Sequence, residues 1–108
     1  MSDRMIASQF ISLYDLCVLI REVVGDNFPE YIWVVAEIAS IKENQNGHCY
    51  LELVDKNEEK VIAQARATIW AYNYRSLAHK FEKATGETLK RGMKILFSAQ
   101  VQYHEVYG

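Results

Sequence analysis

The chain has 108 residues, of which 50% are hydrophobic and 24% are charged. We expect one globular domain over residues 1–108, because this length can enclose a core and the composition is not that of a disordered chain. No apolar run approaches the roughly 20 residues that span a bilayer, and the polar start Met1–Arg4 is not followed by a signal-peptide core, so we expect a cytoplasmic protein without a membrane partner.

Charge is unevenly distributed along the chain, although the net charge is only −2. Residues 1–60 hold 11 acidic and 5 basic side chains, whereas residues 61–108 hold 3 acidic and 7 basic ones. The basic part is typical of a surface for an anionic partner such as nucleic acid. It also fits a solvated face that balances charge, and the sequence leaves both interpretations open.

Chemically reactive side chains are scattered. Cys17 and Cys49 stand in apolar, periodic segments, where we expect reduced and buried side chains. Metal-binding motifs, a Ser or Cys paired with a His at a recognisable spacing, and a Gly-rich phosphate loop are all lacking. We therefore expect no metal, no cofactor and no catalytic residue in this sequence.

The first predicted element is an amphipathic helix over about residues 12–25. Its apolar side chains recur at helical spacing and are Leu13, Leu16, Cys17, Ile20, Val23 and Val24. Ser12 is a good N-cap with Asp15 three residues later. The helix is expected to end at Gly25-Asp26-Asn27, since Pro29 forbids an immediate restart.

Two strands joined by a turn follow, at residues 31–41 and 48–55. One face of the first strand carries Ile32, Val34, Ala36 and Ile38, and the other carries Trp33, Val35 and Glu37. Residues 42–47 form a polar loop, in which Asn46-Gly47 provides the positive φ values of a hairpin turn. The inward side chains of the second strand are Cys49, Leu51 and Leu53, and a charged turn at residues 55–60 ends it.

A third strand, a second helix and a fourth strand complete the pattern. The third strand runs from about Val61 to Trp70, and its inward side chains are Val61, Ala63, Ala65, Ala67 and Ile69. Asn73 is the expected N-cap of the helix and Thr85-Gly86 its end, with an apolar stripe of Leu77, Phe81 and Ala84. The inward side chains of the fourth strand, Met93–Tyr103, are Ile95, Phe97, Ala99 and Val101.

This order of elements is that of an OB fold, a mainly β, partly open barrel with helices. Three meandering strands are followed by a helix and a further strand, and the first helix is an extra element packed outside. The fifth strand of the barrel would begin where this sequence stops, so we expect a fold truncated at that strand. A generic α+β sheet with both helices on one face is the alternative.

Several groups of residues carry a family resemblance. Ile32-Trp33-Val34 with Glu37-Ile38 lies on the first strand. The second strand carries Gly47-His48 with Tyr50, Leu53 and Asp55. The remaining matching positions are Phe10, Leu13, Leu16, Ile69-Trp70, Gly92, Tyr103 and Tyr107-Gly108. In these positions the sequence resembles the N-terminal domain of the large subunit of bacterial exodeoxyribonuclease VII. It departs from that family at Ala36, where Gly is usual, at Ala39-Ser40, and in a longer, more helical stretch over residues 72–91.

The resemblance implies a module that binds single-stranded DNA. The intact enzyme of that family degrades single-stranded DNA from either end to nucleotides and short oligonucleotides. In that family a following domain is catalytic and a coiled coil beyond it binds the small subunit. Since neither lies in these residues, we expect no catalysis by this segment, an exodeoxyribonuclease activity of the whole protein, and a small-subunit partner bound through the missing part.

Five side chains are candidates for contact with single-stranded DNA: Arg66, Tyr50, His48, Gln64 and Trp70. Strands two and three are the usual binding platform of an OB barrel, and binding without sequence preference needs aromatic rings for stacking and cations along the phosphates. Arg66 is the best candidate for a phosphate contact and Tyr50 for base stacking.

Structural alternatives stay open for most of these residues. Tyr50 could pack across strands, His48 could hydrogen-bond within the turn, and Trp70 could lie in the core. We expect Trp33 to pack beneath the first helix and Glu37 to make a structural ion pair or hydrogen bond.

Two further expectations concern assembly. The domain could instead be a protein-interaction module that docks other domains of the same polypeptide. Because the fifth strand is barely begun, we also expect the isolated segment to self-associate through strand edges, or to be loose near Gln100–Gly108.

Overall fold

The computed structural model, which describes residues 10–107, contains two helices and four strands within that range. In chain order they are α1 (Leu13–Asn27), β1 (Ile32–Glu43), β2 (Cys49–Asn57), β3 (Lys60–Ile69), α2 (Ala71–Thr85) and β4 (Lys94–Ala99). The strands form one sheet in the order β3-β2-β1-β4, and β2 is antiparallel to both β1 and β3. The predicted fold class and element order are confirmed.

The backbone divides into two compact units. One unit holds residues 34–97, and the other holds the described residues up to Trp33 together with those from Ser98 onward. The core lies in the first unit. It is made of Ala36, Ile38, Cys49, Leu51 and Leu53, against which side chains of α2, β3 and β4 pack.

Strand β1 contains a bulge at Ala39, which changes the face that its later side chains occupy. Ile38 lies opposite Leu53 of β2, and Ser40 lies opposite Glu52, so that Ala39 has no partner across the strands. Ala36 and Ile38 are buried as predicted and Val34 is half-buried, whereas Ile32, also predicted to face inward, is 38% exposed. Beyond the bulge Ile41 packs against the core. The strand continues to Glu43, so the prediction of a loop from residue 42 was wrong.

The first half of β3 is exposed, which differs from the predicted inward face. Val61 is 49% exposed, and Ala63 and Ala65 are exposed as well, whereas Ala67 and Ile69 are half-buried against the core. The reason is that β3 is the edge of the sheet. Ala65 pairs with Leu53, the last core residue of β2, and Ala63 and Val61 pair with residues beyond it.

Helix α1 begins after the predicted cap Ser12 and ends at Asn27, the last residue of the predicted stop. The Ser12 side chain accepts a hydrogen bond from the Asp15 amide at 3.0 Å, which caps the helix. Gly25 lies inside the helix, which continues to Asn27. Cys17 is buried on this helix, whereas Leu13 is 75% exposed. Among the described residues, no helix combines the length and apolarity needed to cross a membrane.

Trp33 and the segment after β4 also differ from prediction. Trp33 is 73% exposed, so its predicted burial beneath the first helix was wrong. Strand β4 ends at Ala99, and Val101 is 37% exposed instead of inward. The residues after β4 contact α1 through side chains, because Tyr103 donates a hydrogen bond to the Cys17 Sγ at 3.7 Å and the Arg21 guanidinium lies 2.9 Å from a Glu105 oxygen.

The described residues after Ala99 form no strand. A hydrogen bond to its own backbone amide, together with the Arg21 guanidinium, holds the pKa of the Glu105 carboxyl below its ordinary value. These contacts give residues 103 and 105 partners on α1. Gly108 lies outside the described residues, and self-association of the segment stays a prediction.

The β2–β3 turn is strained, which gives a first testable prediction. Glu58 and Glu59 have φ angles of 51° and 69°. Residues other than Gly and Asn rarely occupy this region of backbone conformation. Replacing them by Asn and Gly, the preferred pair for such a turn, should raise the free energy of unfolding by about 1 kcal/mol in urea denaturation. The double Gln variant removes the same two charges and keeps the strain; an Asn-Gly variant no more stable than this control would contradict the assignment of the strain.

Candidate nucleic-acid interface

The three strands β1, β2 and β3 present one face away from the core, which we call the outer face. Its residues form three rows across the strands, read in the order β1, β2, β3. The rows are Lys42–Tyr50–Thr68, Ser40–Glu52–Arg66 and Glu37–Val54–Gln64. Because residues directly opposite each other in a sheet have Cβ atoms roughly 5 Å apart, each row is a set of close neighbours.

Three of the predicted site residues lie on the outer face. Tyr50 is 36% exposed, and Arg66 lies diagonally across from it on β3, at the distance of roughly 7–8 Å that such neighbours have. Gln64 lies one row further along β3. A ring and a guanidinium at this separation can contact a base and a phosphate of the same strand.

Lys42 is a cation of the outer face that sequence reasoning missed. It lies directly opposite Tyr50 in the first row, and its side chain is exposed. The bulge at Ala39 puts it there by adding one residue before it. The signal for the bulge was present in the sequence, since Ile38 and Ile41 are apolar residues three positions apart where a regular strand requires an even spacing.

Three rings cluster at the end of the first row. The His48 ring lies edge-on to the Trp70 ring, with centroids 5.1 Å apart, and also edge-on to the Tyr50 ring, at 6.3 Å. Trp70 is 44% exposed, so one part of the indole is covered and another part remains accessible. The cluster brings the predicted residues His48, Tyr50 and Trp70 together.

His48 caps the start of helix α2. Its Nδ1 accepts a hydrogen bond from the Ala71 amide at 2.8 Å, one of the amides that have no partner within the helix. The N-cap position is Trp70, whose side chain makes no capping bond. The prediction that Asn73 caps the helix was therefore wrong, because His48, which lies 23 residues before Ala71 in the sequence, takes this role.

Gly47 fits the same junction between the hairpin and α2. Its φ of +87° is in the left-handed region, and a Cβ atom at this position would lie 3.1 Å from the Ala71 Cβ. The Gly47 amide bonds to the Asn44 carbonyl, and the His48 amide bonds to the Asn46 side chain. Gly47 has the positive φ that the sequence predicted, whereas Asn46 does not, so that part of the prediction was wrong. The apolar stripe of helix α2 also differs from the predicted one. Tyr74 packs against the core, whereas Leu77, which was predicted to belong to the stripe, is 43% exposed.

Charges on the outer face are partly neutralised. The Lys56 Nζ lies 3.1 Å from a Glu37 carboxylate oxygen, which confirms the predicted structural role of Glu37. Among residues 10–107, neither Lys42 nor Arg66 makes an ion pair. These two cations therefore remain accessible to an anionic partner.

The Cys49 thiol, next to Tyr50 along β2, is shielded from solvent. Cys49 is fully buried, and desolvation raises the pKa of its thiol above the ordinary value of 9.0. A hydrogen bond with Tyr74 opposes this effect, and burial also raises the pKa of the Tyr74 hydroxyl. Both Cys17 and Cys49 are free and buried, as predicted.

A comparison with protein families gives the same assignment as the geometry. The family described as the OB-fold nucleic acid binding domain matches residues 11–108. The chain belongs to this family. The OB-fold domain therefore covers all of the elements described above, from α1 to β4.

Two curated relatives share this domain. The chain is 37% identical over 106 residues to the exodeoxyribonuclease 7 large subunit of Deinococcus radiodurans, a match that covers 93% of this chain and 25% of the relative. It is 26% identical over 101 residues to the exodeoxyribonuclease 7 large subunit of Hamiltonella defensa, covering 94% of this chain and 19% of the relative. The chain thus spans a quarter or less of the length of these relatives.

The junction at His48 gives a second prediction. His48→Ala should lower the free energy of unfolding by about 1–2 kcal/mol, because it removes the acceptor for the Ala71 amide and the edge-on contact with Trp70. Urea denaturation measures this difference. His79→Ala is the matched control, because His79 is an exposed histidine on α2, the helix that His48 caps. It should change the free energy of unfolding by less than about 0.5 kcal/mol. Equal effects of the two variants would show that the contacts of His48 contribute nothing to the free energy of unfolding.

Proposed function

We propose that the outer face of this OB-fold domain binds single-stranded DNA and that the domain serves an exodeoxyribonuclease large subunit. The observation that carries the proposal is the placement of two cations, neither in an ion pair within residues 10–107, around an accessible ring: Lys42 lies directly opposite Tyr50, and Arg66 lies diagonal to it. Phosphates and bases of one strand alternate along its length, so such a face can contact both at once.

The rings favour a single strand over a duplex. Base stacking on an aromatic side chain requires a base whose face is free, and each stacked base contributes about 1–3 kcal/mol by alanine substitution. Within the cluster, Tyr50 and the exposed part of Trp70 are the two rings on which a base can stack. His48 contributes by holding the Trp70 ring, and a direct DNA contact is not required of it.

The small number of free cations sets the expected affinity. With Lys56 paired to Glu37, only Lys42 and Arg66 on the outer face are left for phosphates. Two phosphate contacts to a single strand give a salt slope of about −1.4, and non-specific complexes of this kind have dissociation constants of about 1–100 µM. We therefore expect weak binding by one domain, strengthened when several copies act in one assembly.

For the whole protein we propose exonucleolytic hydrolysis of single-stranded DNA, from either end, by a part outside these residues. The proposal is supported by the names of the two relatives and by the resemblance of the strand motifs. A small subunit bound through that other part and a location in the cytoplasm belong to the same proposal. In this arrangement the present domain delivers the strand and does not cleave it.

A second candidate function is a docking module for other protein segments. The observation that favours it is the group of exposed apolar side chains before and at the start of β1, where Tyr31 is 66% and Trp33 is 73% exposed. Protein docking and DNA binding differ in their response to salt, since only the release of counterions from phosphates gives a log-linear loss of affinity.

Substitutions on the outer face test the DNA-binding proposal. In fluorescence titrations with labelled single-stranded oligonucleotides at several salt concentrations, Arg66→Ala and Lys42→Ala should each weaken binding and flatten the salt slope by about 0.7. Tyr50→Ala should weaken binding about tenfold or more with little change in slope, because stacking releases no counterions.

Lys83→Ala is the control, since it removes an exposed cation near the other end of α2 from Trp70. The three outer-face variants should differ clearly from this control. If all four bind like the parent, the DNA-binding face lies elsewhere; binding that ignores salt would favour the docking module.

A further inference from the structure

Glu52 occupies the centre of the outer face, which is an unexpected place for an acidic side chain. It lies in the middle row, directly between Ser40 on β1 and Arg66 on β3. On its own strand it is two residues from Tyr50, on the same face and at a spacing of roughly 7 Å. Its side chain is exposed, with Tyr50 on one side and the buried Val54 on the other.

The carboxylate of Glu52 is not neutralised by an ion pair with any residue that the structure describes. Within residues 10–107 the ion pairs of the structure do not include Glu52, although Arg66 stands directly opposite it. The contrast is Glu37 on the same face, which is paired with Lys56 at 3.1 Å. One acidic side chain of the outer face is therefore structural, and the other remains free to act on a ligand.

A free carboxylate repels phosphates, so it weakens a face that serves only to hold the DNA backbone. Its neighbour Tyr50 binds the base and not the phosphate, since the flat ring offers a stacking surface. The outer-face position next to Tyr50 on the same strand is Glu52. A base that stacks on the ring with its long axis along β2 therefore brings its edge to Glu52.

Bases differ in what they offer to a carboxylate, which can only accept hydrogen bonds. Cytosine and adenine present an exocyclic amino group as a donor, whereas thymine presents the O4 carbonyl at the corresponding position. In a single strand this edge is not occupied by a complementary base. A carboxylate next to the stacking ring therefore favours cytosine and adenine, because the single donor on the same edge of thymine, N3–H, lies between two carbonyls that repel the carboxylate.

We propose that Glu52 accepts a hydrogen bond from the exocyclic amino group of a base stacked on Tyr50 and makes the outer face discriminate against thymine. This inference rests on the proposed function and adds a base preference to it. Arg66 then binds the phosphate of the same or the next nucleotide.

The test compares oligo-dC with oligo-dT, two pyrimidine strands whose rings have the same size. Homopolymers of about ten nucleotides suit the site size of one OB fold, and mildly alkaline buffer keeps cytosine neutral. The parent protein should bind oligo-dC about fivefold more tightly than oligo-dT, the difference that one net hydrogen bond gives. Glu52→Gln should raise the affinity for oligo-dT and bring the ratio close to one, because an amide can both donate and accept.

Asp55→Asn is the matched control. It removes one carboxylate from the same strand, at a position whose strand alternation places it on the opposite face from Glu52. This variant changes the net charge by the same amount and should leave the ratio of oligo-dC to oligo-dT affinity as in the parent.

The outcomes separate this inference from the proposed function. Salt-dependent binding of both oligonucleotides with equal affinity in the parent would overturn the role of Glu52 and leave the DNA-binding proposal intact. The same holds if Glu52→Gln strengthens binding of both strands equally, since that result describes only phosphate repulsion. Binding of neither oligonucleotide at low salt would overturn the proposed function and this inference with it.

Discussion

Strand β2 is hydrogen-bonded on both sides, to β1 and to β3, and these two pairings determine which side chains share the outer face. The pairing with β1 includes one extra residue at Ala39. If β1 kept Ala39 in regular pairing without the bulge, its later part would keep the earlier alternation, Ile41 would leave the core, and Lys42 would turn away from Tyr50. The burial of Ile41 against the core thus stabilises the arrangement that places a cation next to the aromatic ring.

The end of the outer face depends on a second contact, between the β1–β2 turn and the start of α2. Gly47 allows the turn to approach Ala71 closely, and His48 accepts the amide that this helix end leaves unpaired. Trp70 stands immediately before that amide and packs its ring edge-on to His48. A turn, a strand end and a helix start are thus joined at one point, and this junction limits the positions that the Trp70 ring can take.

Much of the inner face could be predicted from the sequence. Burial of alternate positions in a strand is a local pattern, and Cys49, Leu51 and Leu53 follow it as predicted. The Ser12 cap and the Gly86 end of α2 are local signals as well, and both are found in the structure.

The remaining features depend on partners that are distant in the sequence. The start of α2 is determined by His48, so a search for a capping residue near Asn73 could not find it. Val61 is exposed because it pairs with β2 beyond the end of the core. The alternation of apolar residues in β3 does not by itself show where the core ends. Lys42 was assigned to a loop because the bulge was not recognised, although the spacing of Ile38 and Ile41 indicated it. For the outer face as a binding site, the sequence supplied Tyr50 and Arg66, and the structure adds Lys42 and Glu52.

The central claim is that a single strand of DNA binds across the outer face of β1, β2 and β3. The most direct measurement is an NMR titration of the isotopically labelled protein with a short single-stranded oligonucleotide, following backbone amides and aromatic side chains together. The account predicts that the largest shifts occur at Lys42, Tyr50, Arg66 and Trp70, with little change in α1 and β4. Shifts concentrated in α1 or around Trp33, with the outer-face residues unaffected, would contradict it.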